Sequence, residues 1–204
     1  MSGGRGQFSS ITSIALGDRG ESELGRAKPD GEEELSAATN SVDPREVGTS
    51  DKLVFCSLQS GHFEAFDLQS KQSVFLSPTG TALTTISYSP AFSLVATGSS
   101  TGVVTLYDTR SLSSPLTSFS RNTSSIEDLV FVSPEASSPS AEATILISTS
   151  DAFPYLATVR PEGPGVIGEI VGGDCDPVRV MRTRGSKEFW TASDDGIVRK
   201  YIAW

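Results

Sequence analysis

The chain has 204 residues, including 19 Gly and 11 Pro, with 37% hydrophobic and 20% charged residues. This balance suits a turn-rich globular protein; no apolar run approaches the roughly 18–20 residues needed to span a bilayer, so no membrane partner is expected. The formal net charge of -9 disfavours nucleic acid, whose recognition needs a concentrated basic face, and favours a basic protein surface.

MSGGRGQFSS, residues 1–10, lacks the apolar stretch of a secretory signal and reads as the start of an intracellular protein. Cys56 and Cys175 lie far apart in the chain, and in a reducing compartment no disulfide is expected between them. SSITSIAL (9–16) alternates apolar and polar residues like a half-buried strand. Residues 17–51 then lose all periodicity and collect Gly, Glu, Asp, Pro and Ser, as a solvated acidic loop does.

From residue 52 onward short β-rich stretches recur: KLVFCSL, HFEAFDL and QSVFL; LTTISYS, LVATGS, VVTLYDT and PLTSF; IEDLVFV, TILISTS, YLATV and VIGEIV; PVRVMRT, EFWTAS and IVRKYIA. None carries a sustained helical period, and Gly, Ser, Pro and Asp bound them, so the fold class is all-β. SGHFEAFD, TGVVTLYD, DAFPYLAT and DGIVRKYI align on turn anchors Gly61, Gly102, Ala152 and Gly196, spaced 41, 50 and 44 residues apart. A period of about 40–45 residues with four strands per unit is the pattern of WD-type β-propeller blades. SPEASSPSAEA (133–143) accounts for the long spacing as an insertion.

Five residues beyond each anchor stand Phe66, Tyr107, Ala157 and Tyr201, where the WD dipeptide falls in such repeats; Asp67 and Asp108 follow the first two. A ring there fills the wedge between adjacent blades. Glycine supplies the positive φ of the hairpin turn, and the aspartates cap turns through side-chain hydrogen bonds. The expected architecture is a partial WD-type β-propeller with about four blades of a seven-bladed ring, the last lacking its outer strand. Its divisions are 1–16 with the first inner strand, 17–51 as loop, and 52–204 with blades at about 52–77, 82–120, 124–171 and 177–204.

Two stretches go beyond generic blades. DPREVGTSDKLVFCSLQSGHFEAFDLQSKQSVFL (43–76) and GGDCDPVRVMRTRGSKEFWTASDDGIVRKY (172–201) resemble the C-terminal half of the proteasomal ATPase-associated factor 1 family. REVGT, LQS-x-Q-x-VFL, DCDPV and DG-[IL]-VR-[RK]-Y carry the resemblance. It implies a WD-repeat chaperone of proteasome regulatory-particle assembly without catalytic activity. Its implied partner is the C-terminal domain of one ATPase subunit in the regulatory-particle base, met in the cytoplasm and nucleus. The family's N-terminal domain and first blades have no counterpart in these residues, so two blade faces are expected to lie bare.

Motifs for chemistry are sparse. His62 is the sole histidine, which leaves Ser-His-Asp and Cys-His mechanisms little to work with. GDCDP (173–177) sets two carboxylates around a thiol without the further ligands of a zinc site. No phosphate-binding glycine loop occurs, and RTRGSK (182–187) reads as a solvated basic turn. No metal or cofactor is expected. A propeller hydrolase would need acids converging from the inner strands, where only Glu127 and Asp128 are available.

The remaining hypothesis is a binding module acting through the loops of one rim, where rigid blades present side chains. Candidate partner contacts are His62, Asp151, Asp174, Asp176, Asp194 and Asp195. The alternative is a generic WD-repeat adaptor in another pathway.

Overall fold

The structure is a computed structural model, and it describes residues 9–18, 52–132, 142–160, 163–172 and 176–202. Among these residues there are fifteen strands and no helix.

Blade 1 comprises β1 (Ile11–Asp18), β2 (Lys52–Leu58), β3 (Phe63–Asp67) and β4 (Gln72–Leu76). Blade 2 comprises β5 (Leu83–Ser89), β6 (Leu94–Ser99), β7 (Val103–Asp108) and β8 (Thr117–Ser120). Blade 3 comprises β9 (Ile126–Val132), β10 (Ala143–Thr149), β11 (Tyr155–Val159) and β12 (Gly165–Glu169). Blade 4 comprises β13 (Val178–Arg184), β14 (Glu188–Ser193) and β15 (Val198–Ile202). Each is an antiparallel meander in chain order, and β1, β5, β9 and β13 stand side by side as inner strands. The expected architecture is present: four successive propeller blades, the fourth with three strands among the described residues. β1 runs two residues beyond the expected strand, and the rest of the anticipated loop, together with 133–141, lies outside the described residues.

The core lies between blades rather than within any one of them. A sheet exposes two faces of alternating side chains, and each buried face here meets the facing side of the next sheet. Phe55, Phe63 and Ala65 of blade 1 pack on Ile86, Val95 and Tyr107 of blade 2. Ala96, Val104 and Leu106 pack on Ile145, Tyr155 and Ala157 of blade 3. Val132 and Leu146 then pack on Val178, Met181 and Phe189 of blade 4.

Counted from the turn anchor, positions +3 and +5 of the third strand face the preceding blade, and +2 and +4 face the following one. Tyr107, at +5, sits 4.9 Å from the Phe63 ring and 6.2 Å from the Phe75 ring, centroid to centroid. Tyr201, at the same position of blade 4, is half-buried against the blade 3 cluster. The expected wedge-filling role of these rings is therefore what the structure places there.

Candidate functional site

Four repeated hydrogen bonds define one rim. The turn after each second strand is tied to the start of its own blade's inner strand: Gln59 N to Ser10 O (2.9 Å), Ser100 N to Ala82 O (2.8 Å), Ser150 N to Ser125 O (2.9 Å) and Asp194 N to Pro177 O (3.1 Å). The turns between second and third strands and the connections from one blade to the next consequently share this rim. The connections 19–51 and 133–141 join first to second strands, so their described ends lie on the opposite rim.

The anchors adopt left-handed backbone, with φ of 86° at Gly61, 82° at Gly102, 77° at Gly196 and 68° at Ala152. At Gly61 a Cβ would lie 2.2 Å from Gly80 O, and at Gly102 2.3 Å from Asn122 O, because the connection into the next blade crosses the turn. Among the described residues nothing lies within 4 Å of a Cβ placed on Gly196.

His62 is half-buried in the first of these turns. Its Nδ1 donates to Ser77 O at 2.7 Å and its Nε2 lies 3.2 Å from Thr79 Oγ1. With a carbonyl at Nδ1 that nitrogen carries the proton, and in the neutral ring Nε2 accepts from the threonine hydroxyl. The imidazole thus ties the turn to the β4–β5 connection.

Asp151 performs the same work two turns further on. Its carboxylate accepts from Thr149 Oγ1, from Phe153 N at 3.4 Å and from Asn122 Nδ2 at 2.5 Å, joining the β10–β11 turn to the β8–β9 connection. Burial opposes its ionisation, yet the bonds from Thr149, Phe153 and Asn122, with the charge of Arg121, together hold its carboxyl below the usual range.

Asp194 and Asp195 belong to the last turn. Arg179 Nε contacts both Asp194 oxygens at 3.0 Å, Nη2 reaches Oδ2 at 2.7 Å, and Nη1 reaches Glu127 Oε2 of blade 3 at 2.7 Å. The hydrogen bonds to Arg179 depress the Asp194 carboxyl despite some desolvation. Asp195 Oδ1 accepts from Ser193 Oγ at 2.6 Å and Ile197 N at 2.8 Å, while Arg199 Nη2 lies 2.5 Å from Oδ2. These contacts, Arg199 first, place its carboxyl well below the ordinary carboxylate range. Asp176 is exposed beside Pro177 on the same rim, and Asp174 lies outside the described residues.

The rim therefore brings together His62, Asp151, Asp176, Asp194 and Asp195, and four of the five hold turns in place. Sequence reasoning missed Asn122, Arg121 and Arg179. Arg121 joins Glu169 at 2.5 Å and lies over the Tyr155 ring, 5.1 Å from its centroid. An arginine one residue into an inner strand, opposite an acidic hairpin turn, is the one signal that could have pointed to the Arg179–Asp194 pair.

The two inner-strand acids are engaged between blades. Glu127 holds Arg179, and Asp128 accepts from Met181 N at 2.7 Å and Leu129 N at 2.9 Å, with Arg182 Nη1 at 3.3 Å. Burial raises the Asp128 carboxyl against those bonds. Among the described residues no three His, Cys, Asp or Glu side chains group as metal ligands, and no helix is long and apolar enough to cross a membrane. Asp67 and Asp108 accept from Gln69 N (2.8 Å) and Arg110 N (2.9 Å), as turn caps do.

The rim is a polar surface whose turns are held in place by these hydrogen bonds. The chain is similar to proteasomal ATPase-associated factor 1. Human and bovine proteins of that name each match at 27% identity over 176 residues, covering 82% of this chain and 41% of the relative. The chain thus spans about two fifths of the length of those curated relatives. No family model matches. Among solved structures, the crystal structure of the computationally designed Ika4 protein superposes with a TM-score of 0.63 at 13% identity, over 98% of this chain and 95% of that one. That likeness concerns the fold alone.

Proposed function

We propose that this chain is a non-catalytic binding scaffold in assembly of the proteasome regulatory-particle base, docking on the C-terminal domain of one proteasomal ATPase subunit. The observation that carries the reading is the similarity to proteasomal ATPase-associated factor 1 across four fifths of the chain. The contact surface in this reading is the polar rim, with Asp176 before blade 4 and Asp194 on its hairpin turn as the exposed acids; Asp174 is a further candidate of this reading, outside the described residues. His62, Asp151 and Asp195 shape the loops around them. The net charge of -9 suits a basic docking surface, and screening by salt weakens such a contact. The scaffold works in the cytoplasm and nucleus in this reading.

The test is affinity capture of the tagged chain with isolated ATPase C-terminal domains at low and high salt. Capture of one subunit, weakened by Asp176→Lys with Asp194→Lys, is expected. Absence of every proteasomal ATPase from the captured material overturns the reading, and capture unaffected by the two reversals removes this rim from it.

A further inference from the structure

Three Ser-Pro pairs fall among the described residues, Ser77–Pro78, Ser89–Pro90 and Ser114–Pro115, and two more, at Ser133 and Ser138, lie outside them. The dipeptide is the same each time, but the fold gives the three hydroxyls different surroundings. Ser77 is 5% exposed. Its Oγ accepts from Phe63 N at 2.7 Å, donates to Pro78 O at 3.3 Å and meets the Tyr107 hydroxyl, so it is enclosed between blades 1 and 2. Ser89, also 5% exposed, ends β5 inside the blade 2 sheet, opposite Leu94.

Ser114 is exposed, as are Ser113, Pro115 and Leu116 around it. These residues belong to the β7–β8 connection, 109–116, whose two ends are fixed. Ser111 N donates to Asp108 O at 3.0 Å, and Leu116 N donates to Leu106 O at 2.8 Å. Leu112 is half-buried against the core between blades 1 and 2. Beyond it, neither Ser113 nor Ser114 shares a backbone hydrogen bond with another described residue. Proline after Ser114 favours extended backbone at the serine and contributes no N–H of its own. An exposed segment of this kind, held at both ends, is one that a modifying enzyme can lay across its cleft. Blade 2 stands between blades 1 and 3, so both its faces are covered within the chain and the connection projects from its outer edge. The connection joins a third strand to a fourth, which puts it on the rim opposite the polar one.

We propose that Ser114 is a phosphorylation site for a proline-directed protein kinase. Ser114 Oγ attacks the γ-phosphorus of ATP, the bond from that phosphorus to the bridging oxygen of ADP breaks, and the hydroxyl proton passes to the kinase's general base. The product carries about −1.5 to −2 of additional charge at neutral pH. The charged side chains nearest in sequence, Asp108 and Arg110, are already joined to each other at 2.7 Å. The phosphate is thus a new surface anion, on the rim away from the proposed docking acids. This inference is independent of the proposed proteasomal role.

The test is incubation of the folded 204-residue chain with a purified proline-directed kinase and ATP, read by site-resolved mass spectrometry. Tryptic cleavage after Arg110 and Arg121 isolates residues 111–121 from the other Ser-Pro pairs. Synthetic peptides spanning the pairs at Ser77, Ser89 and Ser114 serve as the unfolded reference. All three peptides are expected to take up phosphate. The folded chain is expected to take it up at Ser114 and not at Ser77 or Ser89, which a kinase reaches only through local opening of the sheet. Ser114→Ala and Pro115→Ala each lose the phosphate on 111–121, whereas Ser113→Ala keeps it, with the circular dichroism of all three variants unchanged. No phosphate on 111–121 of the folded chain, phosphate on Ser113 in place of Ser114, uptake that survives Pro115→Ala, or uptake at Ser77 or Ser89 as fast as at Ser114 overturns the proposal.

Discussion

Removing the Tyr107 ring tests the claim that stability resides between blades. The side chain is 8% exposed and makes tilted and edge contacts with Phe63 and Phe75 at 4.9 and 6.2 Å. An aromatic side chain of this kind buries about 150 Å² or more, worth ~4 kcal/mol at about 25 cal/mol/Å². The cavity left by truncation keeps the loss in the range of about 3–5 kcal/mol. Tyr107→Phe keeps the ring and removes the hydroxyl that bonds to Ser77, a loss of about 1 kcal/mol. For a domain of this size each kcal/mol lowers Tm by about 2–4 °C, so Tyr107→Ala is expected to melt roughly 10 °C below the parent. Thermal and urea unfolding followed by circular dichroism and by tryptophan fluorescence measure both variants. The reasoning fails if Tyr107→Ala costs no more than Leu116→Ala, whose side chain is 56% exposed.

Gly61→Ala and Gly102→Ala are each expected to lose more than about 2 kcal/mol, combining the left-handed cost of about 1–2 kcal/mol with a backbone oxygen 2.2 or 2.3 Å from the new Cβ. Gly196→Ala, with open space at that Cβ, loses only the conformational part, and equal melting losses at all three sites would refute the crossing-loop account. In acid, Asp108 and Asp151 have carboxyls depressed in the fold, Asp108 chiefly by the hydrogen bond to Arg110. Their contribution is full above the unfolded value near about 3.9 and is lost as pH falls through their folded values. Asp151→Asn is therefore less stable at neutral pH and loses less below about pH 4, which urea titrations across pH measure. Asp128 has the opposite sign: burial raises its folded value, so its contribution is full below about 3.9 and declines as pH rises through the folded value. The Cys56 thiol is buried and raised by that burial, with a smaller push from Glu64; alkylation of the Cys56 peptide is expected to be slow in the native chain and fast in denaturant.

The blades were legible because their signals are local. β-rich runs such as LVATGS and VVTLYDT, and a glycine at three of the four turns, need only a few consecutive residues to register, and the repeat of the anchors then fixes the period. Ala152 shows that the period outranks residue type, since an alanine there holds the same left-handed turn at φ 68°, with the Asp151 carboxylate bonded across it to Phe153 N. The polar ties between blades were not legible, because each joins residues far apart in sequence. Glu127 and Asp128 read as two acids on an inner strand, free to serve an axial site. Their partners Arg179 and Met181 lie 52 and 53 residues away, and nothing short of knowing which inner strands adjoin reveals the pairing. Thr84, whose hydroxyl reaches Ile126 O 42 residues on, is the same case.

The facing of a side chain lies between these extremes, and it explains why the rim and the flanks differ in how far sequence reaches them. Position +5 is visible as an aromatic in three of four repeats, but its burial depends on whether a preceding blade stands there. Tyr107 has one and is 8% exposed; Phe66, with the same place in its own blade, has none among the described residues and faces outward beside Leu16 and Val54. Identical local patterns thus yield a core residue in one blade and an outward-facing residue in another. The same holds for the glycine anchors, indistinguishable in sequence, of which Gly61 and Gly102 are enclosed and Gly196 meets nothing among the described residues. What a repeat sequence specifies is a seat and an occupant for every blade. Which of them are filled among the described residues is decided by position in the array, as Tyr107 over Phe63 shows.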